Sequence, residues 1–259
     1  MNQGLYTAYL GMRARQQALD TIADNIANAS TTGFKAGALT YRSVEEGKTV
    51  SGDAATNAPA QPLSADTTTP DSPRTLGVVA GSSVDHGAGA LRQTGAPLDL
   101  ALSGDGYFVV QTARGERYTR AGSFTLNADG QLVTQTGDLV VGEGGPLTLP
   151  PGEVMVGEDG SISVAGREAG RLRVARFEHP AAALLKEGAN LFAPTGAERP
   201  TEANGARVIQ GTLEASNVNP VAELSAMIEA SREFDSLQRS VTLQMNDLGR
   251  KVANEIGRL

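Results

Sequence analysis

His86 and His179 are the only imidazoles in the chain, and there is no cysteine. Without cysteine, disulfides, thiol nucleophiles and thiolate-ligated zinc or iron–sulfur centres are excluded, and the redox compartment is left open. A histidine metal site would need further ligands from unrelated segments, and both histidines fall in loop or strand-end settings. They read as surface or packing residues. No nucleophile-elbow pattern surrounds a serine, so no Ser-His-Asp arrangement is signalled. Carboxylates such as Glu143, Glu153, Glu158 and Asp159 are plentiful. A glycosidase pair would have to be raised above that background by burial, and nothing local suggests it. Asn127-Ala128-Asp129-Gly130 opens like a calcium loop but lacks the remaining ligand spacing and the terminal Glu, so it reads as a hairpin turn. Asn28-Ala29-Ser30 is formally a glycosylation acceptor. The expectation is a protein that is not an enzyme, with no catalytic, metal or cofactor-binding residues.

The totals point the same way. Of 259 residues only 4% are aromatic, Trp is absent and Gly reaches 31, which leaves few bulky anchors and many turn positions. A net charge of −7 argues against nucleic acid or an anionic membrane as the main partner. The N-terminus, MNQGLYTAYLGMRARQQ, has neither a basic n-region nor an uninterrupted apolar h-region, so no Sec-type signal is read there. No run approaches the ~18 apolar residues of a membrane span.

Three textures must position whatever the chain does. From Leu5 to Ile26 the apolar residues Leu5, Tyr9, Met12, Leu19, Ala23 and Ile26 recur at gaps of three and four, with Gln16 filling one slot. That is a heptad seam on one helix face. Residues 36–84 carry a Ser/Thr/Ala/Pro/Asp-rich stretch that cannot repay its ordering entropy alone and reads as a strap or linker. Residues 85–216 hold β-rich runs such as LDLAL, GYFVVQT, SISVAG and RLRVARF. Asp105-Gly106, Asp129-Gly130, Asp159-Gly160 and Asn204-Gly205 punctuate them as hairpin signals. A sandwich and an irregular barrel remain equally open. Asn219 and Pro220 then form an N-cap and first helical position, followed by Leu224, Ile228, Phe234, Val241, Met245, Leu248 and Val252 at helical spacing.

Each terminal helix has an apolar stripe it cannot bury alone, and heptad spacing suits helix-on-helix packing better than helix-on-sheet. Pairing the two would join the chain's ends in one helical unit. Any exposed remainder would seek another copy, and a repeated asymmetric contact builds an open filament. NIANASTTGFK, at the end of the first helix, then reads as a fixed corner. Asn25, Asn28, Ser30, Thr31 and Thr32 can bond local backbone, Gly33 can turn the chain, Phe34 can anchor it, and Lys35 can reach carbonyls or a carboxylate.

That stretch resembles the N-terminal signature of the bacterial flagellar axial proteins, the rod, hook and hook-junction family. Asn25, Ala27, Asn28, Thr31, Gly33, Phe34 and Lys35 match its pattern. Asp24 departs from it, since many members carry a second Asn there. The span from LDLALSGDGYFVV to GDLVVGEGG is similar to the family's central β segment, with Gly104 to Phe108, Tyr118-Thr119-Arg120 and Gly130-Gln131-Leu132 as marks. GTLEASNVNPVAEL resembles its C-terminal signature in Leu213, Glu214, Ser216, Asn217, Val218 and Asn219.

The resemblance implies a flagellar basal-body rod subunit, most like the proximal-rod type with the distal-rod type close behind. It implies torque transmission in the periplasm, partners among other rod subunits and its own copies, and export through the flagellar type III apparatus without a cleaved signal. The Asn28 acceptor sequence, lying inside this motif, is then a coincidence. The expected architecture is α+β. Residues 1–35 and 217–259 form a coiled-coil-like core domain, 36–84 a strap, and 85–216 an antiparallel all-β central domain. Leu5, Tyr9, Met12, Leu19, Ile26, Leu224, Ile228, Val241, Leu248 and Val252 should build the assembly core. The motif residues, with Asn217, Val218 and Asn219, should fix the corners. A rival from another class is a binding module whose β domain recognises a glycan or protein while the helices give a closed oligomer. A peptidoglycan-acting enzyme is a further rival.

Overall fold

A computed structural model describes residues 2–45, 75–203 and 205–256. The interior of the strap and Asn204 of the expected Asn204-Gly205 turn lie outside those residues. The architecture is α+β, with three helices and mostly antiparallel sheets among the described residues. Its contacts divide the chain into two compact units, one of Met1–Asp20, Leu39–Ser82 and Met227–Leu259, the other of Thr21–Ala38 and Ser83–Ala226.

Helix α1 runs Asn2–Ala27 and helix α3 runs Pro220–Ile256. In the first unit Arg15 meets Glu233 at 2.9 Å, and a Cβ added at Gly11 would stand 3.9 Å from a Leu237 methyl. Ala14 and Ala18 are buried on α1, and so is Ala230 on α3. Gly11, Ala14 and Ala18 share one helical face. Among the described side chains of α1 in this unit, the fully buried ones, Ala14 and Ala18, are small. Tyr9 is 58% exposed, Ile228 56% and Leu224 49%. Met12, Leu19, Ile26 and Val241 are half-buried. The side chains of Leu5, Leu248 and Val252 lie outside what is described. None of the helices described is long and apolar enough to cross a membrane.

In the second unit the chain enters and leaves the β domain side by side. Leu91–Gln93 pairs with Thr212–Glu214, and Leu100–Ser103 pairs with Arg207–Gln210, both antiparallel. Between them lies a ten-stranded sheet, in which Tyr107–Thr112 is flanked by Gly115–Thr119 on one side and by Leu139–Gly142 and Val174–Arg176 on the other. Tyr-Phe-Val-Val is an unbroken apolar run because both faces of this strand are covered, and successive side chains point to opposite faces. Phe108 and Val110 enter one cluster with Leu100, Leu132, Val140 and Ile162. Tyr107 and Val109 enter the other with Tyr118, Phe177 and Phe192. Each such fully buried side chain contributes about 1.5–3 kcal/mol by leaving water. The first cluster includes Val154, Ile162 and Val164 of a separate three-stranded sheet, so the arrangement is sandwich-like, with a second sheet over one face of the first.

Two of the four expected hairpin turns are in place. Asn127 Oδ1 accepts from the N–H groups of Asp129 (3.0 Å) and Gln131 (2.8 Å), closing the turn between Thr125–Leu126 and Leu132–Val133. Asp159-Gly160 joins Val154–Val156 to Ser161–Val164. Asp105-Gly106 is not a hairpin: the strands it joins, Leu100–Ser103 and Tyr107–Thr112, pair with different partners. Two tight turns carry no Asn-Gly or Asp-Gly. Ala165-Gly166 has φ of 50° and 74°, and Ala189-Asn190 has 49° and 58°. The latter joins Leu184–Gly188 to Leu191–Pro194, a hairpin with no turn signal in the sequence. The two margins of the segment read from composition as a strap or linker, Gly37–Glu45 and Thr75–Val84, pair as a two-stranded sheet.

Gln210 closes the edge of the three-stranded sheet. Its Nε2 donates to the carbonyls of Val154 (2.8 Å) and Pro97 (2.9 Å), and its Oε1 accepts from the Val156 N–H at 3.2 Å. The side-chain amide stands where a neighbouring strand's peptide group would be.

Candidate functional site

The polar residues of the expected corner come together within the second unit. α1 ends because Asn28 turns back on it, its Nδ2 donating to the Asp24 carbonyl (2.9 Å) and to Asp24 Oδ1 (3.0 Å). Thr31 Oγ1 in turn donates to Asn28 Oδ1 at 3.3 Å. Gly33 takes a φ of +66°, and its N–H donates to the Glu214 carbonyl at 2.7 Å. A Cβ at Gly33 would lie 2.3 Å from the Ala121 nitrogen, so the close approach itself requires glycine. Phe34 is buried under the Lys186 ammonium, which stands 3.7 Å from the ring centroid and also pairs with Asp24 at 3.0 Å. Asn190 Nδ2 donates to the Thr32 carbonyl at 3.0 Å, so the Leu184–Pro194 hairpin grips the motif from outside.

Beyond Phe34 lies a buried ionic cluster. The side chains of Lys35 and Glu214 are 0% and 1% exposed, and Lys35 Nζ donates to Glu214 Oε1 at 2.5 Å and to the Gly87 carbonyl at 2.6 Å. Glu214 Oε1 also accepts from the Gly89 N–H (2.9 Å), and its Oε2 accepts from Arg120 at 3.2 Å. Arg120 donates onward to the Gly104 carbonyl at 2.8 Å, with its guanidinium 5.3 Å from the Tyr107 ring centroid. Burial pushes the Lys35 ammonium down from its ordinary value, and the Glu214 carboxylate opposes that shift. His86 is a packing histidine. Its Nδ1 is 2.8 Å from the Tyr107 hydroxyl and its ring lies 5.3 Å from Phe192. Burial first, and the Lys35 charge second, hold it down to about 4. Burial pushes the Tyr107 hydroxyl up.

Two asparagines tie this cluster to the helices. Asn25 Nδ2 donates to the Gly37 carbonyl (2.9 Å) and to Glu223 Oε1 (3.2 Å), and its Oδ1 accepts from the Gly37 N–H at 2.8 Å. Asn217 Oδ1 accepts from the Ala36 N–H (2.8 Å) and its Nδ2 donates to the Asp85 carbonyl (3.0 Å). Asn219 caps α3 as expected, its Oδ1 accepting from the N–H groups of Val221 (3.1 Å) and Ala222 (3.3 Å), with Pro220 first in the helix. Val218 is buried beside it in sequence, while Ala27 is simply the last, exposed residue of α1. Lys186, Asn190 and Gln210 carried no signal in the sequence, and His86 was read there only as a surface or packing residue. Arg120 and Glu214 were visible as family marks, but not as partners of Lys35.

This arrangement has no nucleophile paired with a base and, among the described residues, no cluster fit to hold a metal. What it can do is hold distant segments in one geometry. Each of the three resembling stretches supplies one charged member: Lys35 from the first, Arg120 from the second and Glu214 from the third.

Comparison with known proteins divides the chain in the same way. Residues 5–35 match the model for flagella basal body rod proteins. Residues 101–164 match that for the flagellar hook protein FlgE/F/G D1 domain, and 209–248 that for the flagellar basal body rod FlgEFG protein C-terminal region. Over 262 residues the chain is 36% identical to the flagellar basal-body rod protein FlgF of Caulobacter vibrioides, covering 100% of both. It is 33% identical over 260 residues to FlgG of Bacillus subtilis, covering 93% of this chain and 95% of that one. With FlgF of Escherichia coli it shares 34% identity over 276 residues, covering 99% and 98%. The chain therefore belongs to the flagellar basal-body rod proteins of the FlgF and FlgG type, a family of structural proteins and not of enzymes.

Proposed function

We propose that this chain polymerises into the flagellar rod through its terminal helices and transmits torque across the periplasm. In this reading residues 1–35 and 217–259 form the helical assembly core, 36–84 the strap and 85–216 the outer β domain. The supporting observation is the apolar surface that the helices leave uncovered. Tyr9, Leu224 and Ile228 fall on the expected seam yet stay about half exposed or more in the single chain, while the buried Ala14, Ala18 and Ala230 are small. Apolar side chains repeated along helices of 26 and 37 residues offer a continuous surface to neighbouring subunits. The partners are other rod subunits and further copies of this chain, delivered by the flagellar type III export apparatus without a cleaved signal. The proximal-rod position is favoured by the full-length similarity to FlgF of Caulobacter vibrioides. The distal position is the alternative, since the FlgG of Bacillus subtilis is nearly as similar.

The test uses Ile228→Asp, a change at an exposed position, expressed in cells lacking the native chain. Purified basal bodies should contain the wild-type chain and lack the variant, while the purified variant's unfolding midpoint stays within about 0.5 kcal/mol of wild type. Normal incorporation of Ile228→Asp would sink the helix-mediated reading. A discrete closed oligomer of the wild type, seen by light scattering at all concentrations, would favour the binding module.

A further inference from the structure

Lys186 lies outside the three segments that the family models match, residues 5–35, 101–164 and 209–248. Yet it meets the first of them at two points. Its ammonium pairs with Asp24 Oδ2 at 3.0 Å and stands 3.7 Å from the centroid of the Phe34 ring. Asp24 belongs to the last turn of α1 and Phe34 follows Gly33, so one side chain bridges the corner that the backbone turns between them.

The hairpin that carries Lys186 is held on its other sides. Leu184–Gly188 pairs with Leu191–Pro194, which pairs in turn with Gly115–Thr119. Thr119 Oγ1 donates to the Asn190 carbonyl at 2.8 Å, and Asn190 Nδ2 donates to the Thr32 carbonyl at 3.0 Å. Glu187, next to Lys186, pairs with Arg114 and Arg117. Asp24 suits this platform by its charge and by its two oxygens. Oδ1 accepts from Asn28 Nδ2 at 3.0 Å, which leaves Oδ2 for the ammonium. An asparagine there would have one oxygen for the same two donors, and would turn its own NH2 towards one of them.

We propose that Lys186 is a positioning residue for the exit from α1, and that Asp24 holds it in place over Phe34. The corner is then set in part by a hairpin outside the three matched segments, and Lys186 and Asp24 act as a pair that must be exchanged together. The consequence for entry into the rod rests on helix-mediated assembly, whereas the place of Lys186 over Phe34 does not.

The chain has four lysines, Lys35, Lys48, Lys186 and Lys251, so NMR of the full-length protein labelled with carbon-13 lysine follows each side chain. The ε-CH2 protons of Lys186, identified by the signal lost in Lys186→Arg, should be displaced upfield by the face of the Phe34 ring. Asp24→Asn should lose at least about half of that displacement, while the urea midpoint moves no more than the loss of a surface ion pair allows. A Lys186 signal at the position of an exposed lysine would overturn the proposal, and so would a displacement unchanged in Asp24→Asn. In cells lacking the native chain, Lys186→Met should enter basal bodies less often than wild type, and Lys186→Arg should enter as wild type does. Where Ile228→Asp is excluded, equal entry of Lys186→Met and wild type would overturn the positioning role. If Ile228→Asp enters as well, the fault lies with the helix-mediated reading, and the NMR result alone decides the place of Lys186.

Discussion

Taking an ammonium and a carboxylate out of water costs several kcal/mol per ion, and the cost is offset only where geometry and further hydrogen bonds complete both groups. Lys35 and Glu214 meet that condition through Gly87, Gly89 and Arg120. Removing one partner should therefore be far worse than its surface counterpart. We expect Lys35→Met to lower unfolding free energy by about 3 kcal/mol in urea titrations. Asp24→Asn breaks an ion pair whose side chains are 55% and 23% exposed, and should cost less than about 1 kcal/mol, shrinking further in high salt. Equal costs for the two would contradict the burial argument. His86 gives a pH dependence. Its folded value is about 4, against about 6.5 for an unfolded histidine. As pH falls, the unfolded chain binds that proton first. The stability that neutral His86 contributes is present above about pH 6.5 and is lost as pH falls toward 4. His86→Gln should flatten the loss of stability over that window, measured as the difference between the two urea midpoints.

At the scale of elements, a corner and an edge decide the outcome. The end of α1 depends on Gly33, where a left-handed φ coincides with a backbone contact. Gly33→Ala meets both, with about 1–2 kcal/mol for the conformation before the steric overlap is added. We expect a loss of at least about 2 kcal/mol, with circular dichroism showing the β signal retained. The edge strand Val154–Val156, with Met155 62% exposed, is closed on that side by the Gln210 amide. Gln210→Ala frees the Val156 N–H and the Val154 carbonyl. It should cost about 1–2 kcal/mol and raise concentration-dependent light scattering, as an opened edge invites pairing between chains. A variant that loses stability without associating would limit Gln210 to a tether.

For the whole molecule, the division of labour follows from what each part can bury alone. The β domain covers both faces of its central strand within one chain. The helices do not: their large apolar residues remain partly open, and isolated helices are marginal in water. Circular dichroism of the monomer should therefore show less helix than the 26 and 37 residues of α1 and α3, with helix gained on polymerisation. Undiminished helix in a protease-resistant monomer would count against assembly-coupled folding.

Both terminal helices were legible in the sequence because their signal is local. A 3–4 repeat, an Asn-Pro cap and a Gly-containing exit lie within a few residues of the structure they specify. The run Tyr107 to Val110 and the turns at Asp129-Gly130 and Asp159-Gly160 were legible for the same reason. The motif residues Asn25, Gly33, Phe34, Lys35 and Asn217 could be named from resemblance, though not what they touch. Asp105-Gly106 misled because a turn dipeptide fixes a bend without choosing partners for the strands that it joins. The Ala189-Asn190 hairpin was missed because only Asn190 is of a type that favours positive φ, while Ala189 adopts it without any such preference. Only the tertiary structure could assign the ion pairs of Glu214, to Lys35 across 179 positions and to Arg120 across 94, or show that Ala14 and Ala18 are buried on α1. Periodicity says that a face is apolar, whereas the partner that covers it is decided by shape and by charge brought together from distant parts of the chain.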